Sequence, residues 1–278
     1  MSTQRSKGAA FAALHARAGC FVIPNPWDAG TAKMLAALGF EALATTSAGL
    51  AFALGRIDGT GTVTRDETLD NARQIVEATD LPVAADLENC FAHEPDEAAK
   101  TITMAAGVGL VGGSIEDATG DKANPIYDFD LAVARVKAAV AAARALPFQF
   151  MLCARAENFL HGRPDLADTI KRLQAFEAAG ADVLYAPGLN DIAQIRHVVQ
   201  SVTKPINLLV STGNAHLTQA ELSTVGVKRI SVGGALARAA MGGFIRGAQE
   251  IRDHGTFAYG RDAAPFATIN KLIKGETS

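Results

Sequence analysis

Polar residues that can do chemistry stand at the ends of several short apolar runs of this chain. They are Asp28, Thr46, Ser47, Asp86, Glu88, Glu116, Asp117, Arg155 and Glu157. Carboxylates gathered at one place repel one another, and their pKa values rise unless a cation lies among them. No histidine or cysteine accompanies them in a ligand-like arrangement, and oxygen-only ligands favour Mg2+, or Mn2+, over zinc. The pattern therefore predicts a divalent-metal site.

Three other features of these run ends have alternative interpretations. Arg155 is either a buried counter-ion for Glu116 or Glu88, or a guanidinium that grips a substrate carboxylate, and its position favours the second role. Residues 46–49 (Thr-Ser-Ala-Gly) combine hydroxyl and N–H groups that could bind an anion, although such a turn is also a common connection. Residues 231–235 fit a phosphate-binding turn and a tight packing turn equally well.

Eight apolar runs separated by helix-like segments must position these residues. The runs cover residues 20–24, 42–46, 83–86, 109–115, 149–154, 182–186, 206–210 and 229–232. Because the runs are continuous and do not alternate with polar residues, they are typical of parallel strands covered on both faces. Glycines suited to the left-handed conformation indicate several helix C-termini, and threonine–glutamate capping boxes indicate helix starts. These are Gly39, Gly180 and Gly226, and the pairs Thr64–Glu67 and Thr218–Glu221.

Eight such units in 278 residues predict one domain, residues 1–278, folded as a (β/α)8 TIM barrel of the α/β class. An open doubly wound sheet is the weaker alternative. The chain is 49% hydrophobic, which is enough for one large core. The active site of such a barrel lies at the C-terminal ends of the strands, where the carboxylates and Arg155 stand. A C-terminal extension, about residues 256–278, contains a short helix-like segment whose apolar residues are expected to pack on a partner.

The composition excludes several classes of protein. The 26 Lys and Arg residues against 29 Asp and Glu residues give a net charge of −3, so we expect no nucleic-acid partner. The three cysteines form no CxxC pair, which fits neither a disulfide framework nor a zinc cluster and favours the cytoplasm. No membrane span is expected, because no run of about 18 apolar residues occurs. The six histidines show no triad spacing and are interpreted as surface or structural, and Cys90 as a buried thiol.

Several of these segments, in order, resemble the isocitrate lyase and phosphoenolpyruvate mutase superfamily, from about Phe21 to Ile273. The segments are Pro24-Asn25-Pro26-Trp27-Asp28-Ala29, Thr45-Thr46-Ser47-Ala48-Gly49-Leu50-Ala51, Leu54-Gly55-Arg56-Ile57-Asp58-Gly59, Ala85-Asp86-Leu87-Glu88-Asn89, Ser114-Ile115-Glu116-Asp117 and Ala154-Arg155-Ala156-Glu157. The resemblance implies a TIM barrel in which Mg2+ holds a small 2-oxo acid and stabilises its enolate.

The resemblance also implies a role for individual residues. Asp86 would be the most direct metal ligand, and Glu88 and Glu116 would act largely through water. The carboxylate of the substrate would be held by Arg155. Its other oxygens would meet the turn that contains Thr46, Ser47 and Gly49. Asp58 would orient a metal-bound water or shuttle a proton.

Departures from the family pattern bear on the reaction. Family lyases that cleave isocitrate or methylisocitrate carry a Lys-Lys-Cys-Gly-His loop after the fourth strand, whereas residues 118–128 contain no cysteine. Lys122 and Asn124 in this loop resemble the Lys-x-Asn of the phosphonate-forming mutase and are candidate catalytic residues. The Asn-x-Thr-Glu stretch after strand seven and the Gly-Tyr-Gly after the metal motif are also missing, and Cys90-Phe91-Ala92 replaces the latter.

The sequence thus predicts a cytoplasmic Mg2+-dependent enzyme, a carbon–carbon lyase or decarboxylase of the oxaloacetate type. The alternatives are a phosphoenolpyruvate or phosphonopyruvate mutase or hydrolase, methylisocitrate lyase-like cleavage, another metal-dependent barrel aldolase, and a non-catalytic 2-oxo acid binding protein. The resemblance further implies a homotetramer in which a C-terminal helix is exchanged between subunits.

Overall fold

The computed structural model describes residues 3–276. Residues 1, 2, 277 and 278, the outer ends of the predicted domain and extension, lie outside the described residues. The strands are β1 (Phe21–Ile23), β2 (Leu43–Ala44), β3 (Val83–Ala85), β4 (Gly112–Glu116), β5 (Met151–Arg155), β6 (Val183–Tyr185), β7 (Ile206–Leu209) and β8 (Arg229–Ser231). The helices are α1 (Gln4–Ala16), α2 (Ala29–Ala37), α3 (Ser47–Ala53), α4 (Arg65–Glu77), α5 (Pro95–Gly107), α6 (Phe129–Arg144), α7 (Leu166–Ala178), α8 (Ile192–Gln200), α9 (Gln219–Thr224), α10 (Ala235–His254) and α11 (Phe266–Ile273).

All eight strands run parallel in the order β1-β8-β7-β6-β5-β4-β3-β2. The remaining edges, β1 and β2, meet through a hydrogen bond of 3.1 Å from the Ala44 N–H to the Pro24 carbonyl. The Asn25 side chain reinforces this seam by donating to the Thr45 carbonyl at 3.0 Å. The sheet is therefore a nearly closed barrel, and the predicted (β/α)8 fold is confirmed.

Helix α1 precedes the barrel and covers its N-terminal end. Its buried residues Phe11 and Leu14 pack with Phe21 and Val111, which lie at or just before the starts of strands. The main core lies between the sheet and the surrounding helices. The barrel is thus closed by apolar packing at the strand starts, which leaves the C-terminal strand ends as its open mouth.

Local signals in the sequence explain most element boundaries. Both predicted capping boxes, Thr64–Glu67 and Thr218–Glu221, are present at the starts of α4 and α9. Residues 46–49, predicted as a turn, are instead the start of α3, because the Thr46 hydroxyl caps the helix by accepting from the Gly49 N–H. The fourth strand begins at residue 112, later than the predicted 109, because Gly109 with φ +97° still belongs to the turn after α5.

The C-terminal elements pack only partly on the barrel. Helix α11 contacts α2 of the same chain. Phe244, Phe257 and Phe266 of the segment from α10 to α11 are 75%, 68% and 88% exposed. Within residues 3–276, no helix combines the length and apolar character that crossing a membrane requires.

Candidate metal and substrate site

The predicted site residues meet at the mouth of the barrel. Glu116 and Arg155 are the last residues of β4 and β5, and the two strands pair in register at these positions. Asp86 follows β3, which pairs with β4. Three neighbouring strands therefore bring these three side chains to one rim, as the positions of the apolar runs predicted.

The Arg155 guanidinium lies at the centre of the acidic cluster. Its Nη1 is 3.0 Å from Asp86 Oδ1 and 2.8 Å from Glu116 Oε1, and its Nε is 2.7 Å from Glu157 Oε1. Arg155 is 9% exposed, and its guanidinium carbon lies 4.8 Å from the centre of the Tyr185 ring. The structure thus shows Arg155 as a buried counter-ion of Asp86, Glu116 and Glu157. These contacts use Nε and Nη1.

The carboxylates outnumber this single guanidinium, and the pKa values of several of them are raised. Burial, followed by the charges of Asp86 and Asp58, raises the pKa of Glu88 to about 7. Burial also raises the pKa of Glu116 well above its ordinary value, against the opposing charge of Arg155. The pKa of Asp58 is raised by burial and by the neighbouring Asp86. Such shifts mark a site whose negative charge is not fully neutralised by the protein.

The chemistry of the donors fits a hard divalent cation. The cluster offers carboxylate oxygens from Asp86, Glu88 and Glu116, which suit Mg2+ or Mn2+. Within residues 3–276, no three acidic, histidine or cysteine side chains are close enough to form a complete ligand set. Mg2+ keeps several waters and takes only one or two carboxylates directly, so it does not require a complete set of protein ligands.

Asp86 is oriented by the residues that follow β2. The Ser47 hydroxyl and N–H donate to Asp86 Oδ2 at 2.8 and 3.3 Å, and the Asp86 N–H donates to the Thr45 hydroxyl at 3.0 Å. Thr46 and Gly49 are engaged with each other in the cap of α3. A side chain on Gly49 would meet Thr46 and Trp27 within 2.8 Å, so close packing requires a glycine there. Of the predicted turn, Ser47 is the residue that contacts the acidic cluster.

The loop after β3 has a strained backbone that is stabilised by hydrogen bonds from a buried arginine. Three of its non-glycine residues, Glu88, Cys90 and Phe91, have φ of 49°, 60° and 55°, a left-handed conformation that costs energy in residues with side chains. The buried Arg135 donates to the carbonyls of Asn89, Ala92 and His93 at 2.5 to 2.6 Å. Cys90 is fully buried, which confirms the interpretation of a buried thiol, and burial raises the pKa of this thiol to about 12.

Other predicted residues differ in how close they lie to the cluster. Asp58 lines both an inner cavity of about 240 Å3 inside the barrel and an outer cavity of about 1020 Å3 at the mouth. Lys122 and Asn124 are exposed and line neither of these two cavities. Their loop is closed by a bridge between Ala118 and Ile126.

The turn after β8 is already engaged by the protein. Its Val232 and Gly233 N–H groups both donate to the Asn25 side chain at 2.9 and 2.8 Å. These groups are therefore taken up by packing, which favours the structural interpretation of residues 231–235 over phosphate binding.

Several residues of the inner cavity were not identified from the sequence. They are Cys153, Tyr185, Asn207 and Arg229, while Ser114 was noted only as part of a segment that resembles the family. All lie within strands, whereas the site residues expected from the sequence stand at the strand ends. Polar residues inside otherwise apolar runs were the available signal, because successive side chains of a strand alternate between the barrel interior and the helices.

Comparisons with known proteins place this architecture in a family. The sequence model of the phosphoenolpyruvate phosphomutase family matches residues 11–252. The solved structure of a candidate lyase/mutase from Burkholderia cenocepacia has a TM-score of 0.93 and 55% identity, and the match covers 96% of this chain and 95% of that chain. A candidate 2-methylisocitrate lyase of Corynebacterium glutamicum is 30% identical over 84% of this chain and 78% of its own length. An oxaloacetate decarboxylase of a Marinomonas species is 27% identical, over 81% and 77%.

Proposed function

The chain belongs to the phosphoenolpyruvate phosphomutase family, and on that premise we propose that it is a Mg2+-dependent enzyme that cleaves a carbon–carbon bond of a small 2-oxo acid of the oxaloacetate type. The observation that carries this proposal is the excess of buried carboxylates around Arg155 at the barrel mouth. The similarity to an oxaloacetate decarboxylase supports the choice of reaction. So does the lack of cysteine in residues 118–128, since the related cleavage of isocitrates would need an acid there.

In this proposal Asp86, Glu88 and Glu116 would hold the Mg2+, Asp86 most directly and the two glutamates largely through water. The ion, when bound, supplies positive charge beside the keto oxygen of the substrate, where negative charge develops as the bond to carbon three breaks. Ser47 fixes Asp86 through two hydrogen bonds, so that the carboxylate needs no reorganisation during the reaction.

Arg155 and Asp58 act on the substrate itself. Within residues 3–276, the recorded contacts of Arg155 use Nε and Nη1, so Nη2 is the nitrogen that would donate to the substrate carboxylate. Asp58 lines both cavities, and its raised pKa makes its carboxyl group suited to holding a proton beside the substrate. In this proposal Thr46 and Gly49 act by fixing the start of α3, next to Ser47.

A Mg2+-supplemented assay of oxaloacetate, phosphonopyruvate, 2-methylisocitrate and isocitrate tests the proposal. We expect turnover of oxaloacetate and its loss by about 10³-fold or more in Asp86→Ala, since the ion would lose its direct ligand. The exposed Asp70 provides a matched control, and Asp70→Ala should retain wild-type turnover. Cleavage of isocitrate alone would show that the reaction is assigned wrongly, and full activity of Asp86→Ala would rule out the metal mechanism.

A mutase or hydrolase of phosphonopyruvate is the second candidate function. It is favoured by Lys122 and Asn124, which the family mutase pattern places against the migrating group. Both are exposed and outside the cavities here, so this reaction requires the loop of residues 118–128 to move toward the mouth. Turnover of phosphonopyruvate that is lost in Asn124→Ala would establish this alternative.

We also propose that the enzyme is a cytoplasmic homotetramer. Phe244, Phe257 and Phe266 are three strongly exposed aromatic side chains of the C-terminal segment, and exchange of α11 between subunits would bury Phe266. Sedimentation velocity should give a tetramer, and Phe244→Ser should shift the equilibrium toward smaller species. A monomeric wild-type protein at micromolar concentration would contradict this assembly.

A further inference from the structure

The inner cavity reaches from the acidic cluster down to a second buried arginine. Arg229, the first residue of β8, is 7% exposed. Its Nε donates to Asn207 Oδ1 at 2.8 Å, and its Nη1 lies 3.3 Å from His15 Nε2 on the helix that covers the floor of the barrel. The Cys153 thiol faces the same guanidinium. A positive charge therefore lies deep inside the barrel.

None of these neighbours of Arg229 carries a compensating negative charge. The Nδ1–H of His15 donates to the Phe11 carbonyl at 2.8 Å, which leaves Nε2 to accept from Arg229, and burial and Arg229 lower the pKa of His15 to about 3. Burial raises the pKa of Cys153, which keeps it a neutral thiol.

Acidic side chains are also missing from this end of the cavity. Within residues 3–276, Arg229 forms no ion pair, and the carboxylates that line this cavity are Asp58 and Asp86 at its mouth. A buried guanidinium without a counter-ion is costly, which makes the floor attractive to an anion.

An independent observation at the same level of the barrel also points to a ligand. Ser114 is 8% exposed and lines the cavity, and its hydroxyl has no hydrogen-bond partner within the described residues. It pairs in register with Cys153 on the adjacent strand, which places it at the height of the residue that faces Arg229. Buried hydroxyls nearly always have a partner, so this one is suited to donate to a bound group.

The barrel interior leaves room for such a group. Ala44 and Ala84 line the cavity at positions where barrels of this type are usually filled by bulky branched residues. The resulting volume of about 240 Å3 is several times the ~30 Å3 occupied by one water molecule.

We propose that Arg229, Asn207 and Ser114 form an anion-binding subsite on the floor of the barrel, separate from the metal site, which takes a carboxylate group. The planar fork of a guanidinium matches the two oxygens of a carboxylate. The Ser114 hydroxyl supplies an adjacent polar contact, as does the second N–H of Asn207 Nδ2, whose first N–H donates to Ser231 Oγ at 3.0 Å. The carboxylate belongs either to a free small monocarboxylate or to the far end of a dicarboxylic ligand whose other end lies near Arg155. Binding at this subsite requires neither Mg2+ nor turnover, so it does not depend on the proposed reaction.

The subsite is tested by thermal unfolding in EDTA, with formate or succinate added at constant ionic strength. The balancing salt is a bulky sulfonate buffer that the cavity cannot hold. We expect a saturable rise in Tm of about 3–5 °C with at least one of the two carboxylates. Arg229→Gln should weaken this binding at least tenfold. Ser114→Val should do the same by filling the cavity without breaking any protein hydrogen bond, and the exposed Arg73→Gln is the matched control.

The same titrations in Arg155→Gln identify the source of the carboxylate. If formate binds saturably and Arg155→Gln leaves its binding unchanged, the subsite takes a free anion. If only succinate binds and Arg155→Gln also weakens its binding, the subsite takes the far end of a dicarboxylate. The proposal is overturned if neither carboxylate binds saturably, or if Arg229→Gln and Ser114→Val bind as the wild type does.

Discussion

The mouth and the floor of this barrel each contain one buried arginine, in opposite electrostatic surroundings. Arg155 at the mouth is 9% exposed and lies within 3.0 Å of oxygens from Asp86, Glu116 and Glu157. Arg229 on the floor is 7% exposed, and its recorded partners are neutral. Burial is almost the same in the two places, so the difference arises from the neighbours alone.

This difference indicates what each end of the cavity can bind. At the mouth, the carboxylates exceed the single guanidinium, and burial together with the neighbouring carboxylates raises the pKa of Glu88 and Glu116, an environment that a cation would stabilise. On the floor, a guanidinium without a counter-ion favours an anion. The proposed cation site and the proposed anion subsite therefore lie at opposite ends of the inner cavity, an arrangement that suits a ligand with several oxygens.

Removing each guanidinium should give the largest contrast between the two ends. We expect Arg155→Met to lower the free energy of unfolding by about 3–5 kcal/mol in EDTA, because it leaves three carboxylates facing one another. Mg2+ should restore part of this loss. Arg229→Met should change the free energy of unfolding by less than about 1 kcal/mol in buffer free of small carboxylates, because the charge that this substitution removes has no counter-ion. Urea unfolding measures both variants, and equal losses would remove the distinction between mouth and floor.

The floor should also impose a pH dependence through His15. Its pKa is about 3 in the folded protein and near 6.5 when unfolded, so the unfolded state binds more protons between these values. Stability from this residue is therefore fully present above pH 6.5 and is lost as the pH falls toward 3, by an amount on the order of 2–4 kcal/mol.

Urea unfolding of wild type and His15→Gln from pH 4.5 to 7.5 measures this effect. The difference in stability between the two proteins should shrink as the pH falls, because glutamine does not titrate. The exposed His254→Gln is the control, and parallel curves for wild type and His15→Gln would mean that His15 is not held neutral by burial and Arg229.

The stability of the mouth and its affinity for Mg2+ should also depend on the strained loop that carries Glu88. Arg135→Met would remove the donors to the carbonyls of Asn89, Ala92 and His93, and so free the left-handed residues to relax. We expect a loss of about 2–3 kcal/mol in the free energy of unfolding and a weaker affinity for Mg2+, measured by calorimetry. Unchanged Mg2+ affinity would show that the loop does not position the metal ligands, and formate binding at the floor should be unaffected.

The mouth could be predicted from the sequence, whereas the floor could not. Asp86, Glu116 and Arg155 stand where apolar runs end, and parallel strands bring such ends together whatever the details of packing. Arg229 and Ser114 lie inside strands of three and five residues, too short for the alternation of side chains to show which face they occupy. His15 belongs to a helix whose position under the barrel depends on contacts with residues distant in sequence, such as Val111.

Loop conformation limited the prediction in a different way. Lys122 and Asn124 were identified by their spacing, but the path of residues 118–128 depends on hydrogen bonds within the loop, such as that from the Thr119 hydroxyl to the Asn124 carbonyl. The left-handed conformation of Cys90 and Phe91 was equally hidden, because neither residue type favours it and the carbonyl contacts from Arg135 are what stabilise it.

Two serines offer the finest comparison of the two ends. Ser47 at the mouth donates its hydroxyl proton to Asp86 Oδ2 at 2.8 Å, whereas the Ser114 hydroxyl has no partner within residues 3–276. A hydrogen bond to a charged group contributes about 1.5–3 kcal/mol, so Ser47→Ala should lower the free energy of unfolding by at least about 1 kcal/mol in EDTA. Ser114→Ala should leave it within about 0.5 kcal/mol or raise it, because it removes a buried hydroxyl that the protein does not satisfy. In the presence of formate, Ser114→Ala should instead be less stable than the wild type, since the bound anion would stabilise the wild type more than the variant. Formate should not change the effect of Ser47→Ala. If the two variants lose the same stability in the absence of ligand, Ser114 must have a partner such as ordered water, and the floor would then be satisfied without an anion.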